Sequence, residues 1–144
     1  MNIEITHVFI IGSNAFFSDF PDFASKDTDI IYLINYPFFG DKIMNSNNDG
    51  KDIFYMYNFG KEKLLNKCLK SNFPMSAGKF LVKEFAEHIG LTIDDLKLLK
   101  KMFDKMDNNH AYEKIIYDSY IENNDFYLTE SQLNRAYKEY KKYR

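Results

Sequence analysis

Residues 27–34 read DTDIIYLI: two aspartates separated by a threonine lead into five consecutive apolar residues. A continuously apolar run of this length is typical of a buried strand. In an extended chain, residues two apart point to the same side, so Asp27 and Asp29 direct their carboxylates towards one point at the start of the strand. Convergent carboxylates can bind Mg²⁺, which takes one or two of them together with waters and phosphate oxygens. An acidic turn before a strand has the same pattern, so the pair alone leaves both interpretations open.

Two further segments have the character of strands. Residues 3–11 are rich in β-branched residues, and their second half is continuously apolar, which predicts a strand covered on both faces. Residues 52–59 follow the hairpin-type turn signal Asp49-Gly50 and predict a third strand. Residues 35–51 contain a proline, glycines and a polar cluster, so we expect a loop and a turn there.

The second half of the chain has the period of helices. Its apolar residues recur at spacings of three and four, which predicts helices with one apolar face. Gly90 is expected to end one helix, because glycine adopts the left-handed conformation of helix C-termini without strain. Thr92 is expected to start the next helix, and Thr129 with Gln132 forms a capping box that starts the last one.

This order of elements predicts an α/β fold of the α+β type, in which a small mixed β-sheet is followed by a helical C-terminal half. The sequence has no internal repeat and no low-complexity linker. We therefore expect one domain over residues 1–144, with the sheet in residues 1–60 and the helices packed on it in residues 61–144.

Composition excludes several classes of protein. The net charge is −2, with 19 basic and 21 acidic residues, whereas a protein held mainly to nucleic acid needs a basic face. The single cysteine, Cys68, excludes an internal disulfide framework and suits a reducing compartment. No secretory signal is recognisable, and the longest apolar run is far too short to cross a membrane. We expect a cytoplasmic protein with no membrane partner.

Two more features combine with the aspartate pair. Gly12-Ser13 ends the first strand and opens a predicted short helix, where close backbone approach and free amides favour phosphate. Asp52 begins the apolar third strand, where a carboxylate is costly unless it is paired, solvated or bound to metal. Lys51, which precedes it, is a further candidate partner for phosphate, and it could instead pair with Asp52.

Together these residues resemble the nucleotidyltransferase superfamily of the DNA polymerase β type. The resemblance rests on Gly12-Ser13 at the end of strand one, Asp27 and Asp29 leading strand two, and Asp52 on strand three. The segment looks most similar to the minimal nucleotidyltransferases of bacteria and their phages, in which an Asp-Ile at the start of the third strand leads directly into helices.

The resemblance implies two-magnesium transfer of a nucleoside monophosphate from a nucleoside triphosphate, such as ATP, to an acceptor that the motif leaves open. It implies that Gly12 and Ser13 hold the β,γ-phosphates and that Asp27 and Asp29 ligate both Mg²⁺ ions. Asp52 would ligate one ion and help to deprotonate the acceptor hydroxyl. It also places the protein in the cytoplasm of a bacterium or of a phage-infected cell.

Two alternatives stay open at this point. The chain could be a catalytically inactive member of this fold that acts as a binding or interaction module, with a partner of phage or toxin–antitoxin type. The C-terminal segment 137–144 interleaves tyrosines with basic residues and could contact nucleic acid. We favour an amphipathic helix there, with its tyrosines packed on the protein and its lysines in water.

Overall fold

The computed structural model of the protein describes residues 3–24, 28–36, 39–46, 50–70, 78–105 and 110–143, with the backbone alone for residues 39–46 and 67–69. Internal contacts divide the chain into two compact units, residues 1–64 and 65–144. The boundary falls a few residues beyond the predicted change from strands to helices at residue 60. The first unit contains the sheet, and the second contains helices.

The sheet of the first unit has four strands in the order β1-β2-β4-β3. Their bounds are Ile5–Ile11 for β1, Thr28–Ile34 for β2, Phe39–Ser46 for β3 and Lys51–Met56 for β4. β1 runs antiparallel to β2, β2 runs parallel to β4, and β3 runs antiparallel to β4. The predicted mixed sheet followed by a helical half is therefore the observed architecture.

The prediction of a loop over residues 35–51 is wrong, because β3 lies within that segment. Its residues pair antiparallel with β4 and form a hairpin whose connection is residues 47–50. Gly50 has φ +70°, the left-handed conformation that the turn signal predicts. A turn signal of this kind implies a strand on each of its sides. The strand before the turn was not predicted because the residues next to the turn are polar.

The prediction that the first strand is covered on both faces is also wrong. β1 is an outer strand, and Val8 and Ile10 are 57% and 52% exposed, whereas Ile11 is buried. Ile5 pairs with Ile34 and His7 pairs with Leu33, so β1 has one extra residue, a β-bulge, at this point.

A short helix, α1 (Ser13–Phe17), follows β1 directly. Phe17 is fully buried, and its ring contacts those of Phe16, Phe20 and Phe23. α1 packs against β1 and β2. This aromatic cluster therefore fixes the segment that leaves the end of β1.

Helices make up most of the remaining described residues. In chain order they are α2 (Lys61–Lys70), a 3-10 turn (Lys79–Leu81), α3 (Lys83–Ile89), α4 (Ile93–Leu98), α5 (Lys100–Asp104), α6 (Ala111–Asn123) and α7 (Glu130–Lys141). α2 crosses the boundary between the two units. Within the described parts of the chain, no helix is long and apolar enough to cross a bilayer.

The predicted helix ends are confirmed. Gly90 ends α3 with φ +80°, and Thr92 caps α4 by accepting a hydrogen bond from the backbone N–H of Asp95. Thr129 and Gln132 form the capping box of α7. The helix expected after Thr92 is interrupted, because Leu99 leaves the helical conformation between α4 and α5.

The amphipathic interpretation of the C-terminal segment is confirmed for Tyr137 and Tyr140 but not for Tyr143, which is 42% exposed. Tyr137 and Tyr140 of α7 are buried, and the Nζ atom of Lys141 lies 4.7 Å from the centre of the Tyr137 ring. Tyr112 of α6 packs edge-on against Tyr140. The buried tyrosine rings of α7 are therefore part of the core of the helical unit.

Candidate functional site: paired aspartates at one end of the sheet

Asp29 and Asp52 occupy equivalent positions on neighbouring strands. Each is the second residue of its strand, and the two are direct partners in the parallel register of β2 with β4. Residues paired in this way point to the same face of a sheet, and adjacent strands lie about 4.8 Å apart. Both side chains are half-buried. The structure thus brings two of the three predicted aspartates together.

The face that carries these aspartates, here called the site face, becomes apolar immediately beyond them. Ile31 follows Asp29 on this face and is fully buried, and Phe54 follows Asp52 and is 8% exposed. Apolar neighbours lower the local dielectric, so charge interactions are stronger here than in open solvent. The carboxylates therefore stand at the border between the apolar core of the sheet and its polar end.

Gly12 closes the site on the side of β1. It follows Ile11, the direct partner of Asp29, and has φ +70°, a region that L side chains rarely adopt. A Cβ built on Gly12 would lie 2.8 Å from the Oδ2 atom of Asp29, which is closer than real Cβ atoms come to other atoms. The space that a side chain would fill at residue 12 is therefore occupied by the Asp29 carboxylate.

Ser13 is the first residue of α1 and is half-buried beside this contact. The backbone N–H of Ala15 donates to the carbonyl of Gly12 over 3.0 Å, which begins the helical turn. The sequence thus folds locally as predicted, with a strand, a glycine in the left-handed region and a helix start. The phosphate-binding role of Gly12 and Ser13 stays a prediction.

Two predicted residues remain, Asp27 and Lys51. Asp27 lies outside the described residues. Lys51 is exposed and pairs in register with Thr28, so it points to the face opposite the site face. Its role as a phosphate partner stays a prediction, and the structure does not bring it together with the aspartates.

Sequence reasoning missed the part that Gly50 plays at this end of the sheet. The backbone N–H of Thr28 donates to the carbonyl of Gly50 over 2.7 Å. This bond joins the hairpin between β3 and β4 to the start of β2, next to Asp29. The Asp49-Gly50 dipeptide indicated a turn, but the contact with Thr28 depends on the order of the strands, which the dipeptide does not encode.

The donor chemistry of the site fits Mg²⁺. Two like charges opposite each other on a sheet repel, and a divalent cation between them removes that repulsion. Hard carboxylate oxygens are the ligands that Mg²⁺ prefers, and it needs only one or two from the protein. Among the described residues, which exclude Asp27, no group of three or more histidine, cysteine, aspartate or glutamate side chains is arranged to hold a metal ion.

Comparison with protein-family models, with curated proteins and with solved structures finds no match for this chain.

Proposed function

We propose that the protein is a nucleotidyltransferase that transfers a nucleoside monophosphate from a nucleoside triphosphate to an acceptor hydroxyl, in a cytoplasmic setting. One observation carries the proposal: Asp29 and Asp52 are direct neighbours on the site face, with Gly12 against the Asp29 carboxylate. These are residues of the motif that resembles the nucleotidyltransferase superfamily, and they are far apart in the sequence. The nucleotidyltransferase interpretation requires these residues to lie close together at one end of the sheet.

Asp29 and Asp52 would hold Mg²⁺ at the start of the parallel strands, and Asp27 is the third ligand predicted from the sequence. Magnesium bound there would neutralise the charge of the nucleotide phosphates and stabilise the attacking and leaving oxygens of an in-line displacement. Gly12 leaves room for the close approach of Asp29, and the backbone next to it would lie against the β,γ-phosphates.

The proposed reaction is a substitution at the α-phosphorus. The acceptor oxygen forms a bond to this atom, and the bond from the α-phosphorus to the bridging oxygen of the β-phosphate breaks. Pyrophosphate leaves, and the proton of the acceptor hydroxyl passes to the Asp52 carboxylate, which acts as the base. Asp52 is half-buried, and Phe54, the next residue on the same face, is 8% exposed.

The same geometry weighs against the alternative of an inactive interaction module. Such a module makes no demand on the relative placement of the aspartates, and the alternative would be favoured if Asp52 pointed away from Asp29. The two are instead paired in register on one face. This arrangement supports an active enzyme.

Titration calorimetry with Mg²⁺ and a non-hydrolysable nucleoside triphosphate tests the proposal. We expect wild-type protein to bind the nucleotide only when Mg²⁺ is present, and Asp29→Asn and Asp52→Asn to lose at least tenfold in affinity, in the range typical of lost metal-site interactions. Asp19→Asn is the matched control, because Asp19 is an exposed aspartate in the same unit. Absence of Mg²⁺-dependent nucleotide binding by wild type would overturn the proposal.

The acceptor can be found by incubating the protein with cell extract and nucleoside triphosphates labelled at the α-phosphate. We expect label in an acceptor with wild-type protein and none with Asp52→Asn. A label at the γ-phosphate must not be transferred, since pyrophosphate is the leaving group. Transfer of the γ-label instead would indicate a kinase and contradict the proposed reaction.

A further inference from the structure

Gly50 stands at the junction between the β3–β4 hairpin and the start of β2. Its φ of +70° lies in the left-handed region. Its carbonyl accepts a hydrogen bond of 2.7 Å from the backbone N–H of Thr28. This is a short bond for a backbone amide, and it lies at the same end of the sheet as Asp29 and Asp52.

The position of this hydrogen bond ties it to the two aspartates. Thr28 directly precedes Asp29, and Gly50 precedes Asp52 by two residues. Thr28 pairs with Lys51 and Asp29 pairs with Asp52, so the bond from Thr28 to Gly50 continues the ladder one step beyond β4. The aspartate pair is therefore fixed from both sides, by the regular ladder towards the sheet and by the Gly50 bond towards the hairpin.

We propose that Gly50 is a positioning residue for the candidate metal site: its left-handed backbone aims its carbonyl at Thr28 and thereby holds the Asp29 and Asp52 carboxylates side by side. This inference rests on the proposed function. Gly50 itself supplies no side chain and no ligand. It acts through the alignment of β2 with β4, on which the distance between the two carboxylates depends.

Glycine is needed at this position because L side chains are strained at positive φ. Alanine relieves the strain by rotating the peptide, and rotation turns the carbonyl away from the Thr28 N–H. Asparagine adopts the left-handed conformation more readily than other L residues. The chain offers a matched control in Gly60, which has φ +92°; apart from its chain neighbours, no described residue has an atom within 4 Å of a Cβ built on it.

Titration of the full chain with Mn²⁺, followed by electron paramagnetic resonance, measures the affinity of the site without any turnover. We expect Gly50→Ala to bind Mn²⁺ about 10- to 100-fold more weakly than wild type, the range for residues that orient metal ligands. Gly50→Asn should retain most of the affinity. Gly60→Ala should keep the wild-type affinity, although it carries a comparable backbone strain.

Three outcomes decide between the two proposals. Equal Mn²⁺ affinities for wild type, Gly50→Ala and Gly60→Ala would overturn the positioning role and leave the proposed metal site intact. Wild-type protein that binds no Mn²⁺ would overturn the metal site and the positioning role together. Circular dichroism shows whether Gly50→Ala folds. If it does not, Gly50→Asn is the test variant. A folded Gly50→Asn protein that binds Mn²⁺ more than tenfold more weakly than Gly60→Ala contradicts the role of the left-handed backbone.

Discussion

Gly12 and Asp29 approach each other so closely that a Cβ on Gly12 would lie 2.8 Å from Asp29 Oδ2. Gly12→Ala therefore introduces two penalties, one from φ +70° and one from displacement of the carboxylate. We expect a loss of about 1–3 kcal/mol in the free energy of unfolding, measured with urea.

Gly90→Ala separates the two penalties of the Gly12 substitution. Gly90 has φ +80°, and apart from its chain neighbours no described residue has an atom within 4 Å of a Cβ built on it, so this variant has the strain without the steric conflict. We expect the smaller loss for Gly90→Ala and no change in its Mn²⁺ affinity. If both variants lose the same stability and keep the wild-type Mn²⁺ affinity, the Asp29 carboxylate moves away from the new side chain without an energetic cost.

Asp52→Asn should have opposite effects on stability with and without Mg²⁺. Without the ion, removing one of two adjacent negative charges should raise the free energy of unfolding by up to about 1 kcal/mol. With millimolar Mg²⁺, wild type should gain stability by mass action and the variant should not. Thermal unfolding with and without MgCl₂ measures both effects, and an equal Mg²⁺-dependent shift of Tm in the two proteins would contradict a role for Asp52 as ligand.

The capping box of α7 makes a prediction that concerns the helical unit alone. The Thr129 hydroxyl accepts a hydrogen bond from the Gln132 N–H, and the Gln132 side chain accepts one from the Thr129 N–H. Thr129→Ala should cost about 1 kcal/mol in the free energy of unfolding. Ser131→Ala, which removes an exposed hydroxyl from the same turn, should change it by less than about 0.5 kcal/mol, and a similar cost in both variants would argue against the cap.

Tyr120 should make the protein sensitive to alkaline pH. Its hydroxyl donates to the Leu81 carbonyl over 2.9 Å in a buried position, and burial, together with the charge of Glu84, raises the pKa of this hydroxyl. Above about pH 10 the unfolded chain releases this proton while the folded chain keeps it. The contribution to stability is therefore complete below about pH 10 and is lost as the pH rises, by at most about 1.4 kcal/mol per pH unit.

Urea unfolding of Tyr120→Phe between pH 8 and 11 checks this prediction. The variant should be less stable by about 1–3 kcal/mol at pH 8, because the Leu81 carbonyl loses its donor, and its stability should fall less steeply with pH. Tyr127→Phe is the control, since Tyr127 is 58% exposed. Identical pH slopes for wild type and Tyr120→Phe would contradict the assigned cause.

Features that depend on local backbone chemistry were predictable from the sequence. Gly90, Thr92 and Thr129 mark helix ends because a left-handed glycine or a side-chain cap acts within a few residues. Runs of apolar and β-branched residues, with the turn signal at residues 49–50, likewise located β1, β2 and β4. The candidate aspartates were recognisable because acidic residues stand out at the start of apolar strands.

Features that depend on the order of the strands were not predictable. β3 mixes polar residues with the apolar Phe39, Ile43 and Met44 and is defined by its pairing with β4. The exposure of Val8 depends on what covers that face of β1 in the folded chain. The pairing of Asp29 with Asp52 required both strands to be neighbours in the same register. The sequence pattern alone shows neither which strand lies next to β2 nor the register in which the two strands pair.

The irregularities of the sheet show where the chain can change length. The extra residue of β1 lies between Ile5 and His7, and the register shifts of β3 lie between Phe39 and Asn45, so both are in outer strands. The β2–β4 ladder is uninterrupted from Thr28 onwards. Insertions or deletions in the outer strands can therefore be absorbed as bulges, whereas a single deletion within β2 or β4 slips the register and separates Asp29 from Asp52.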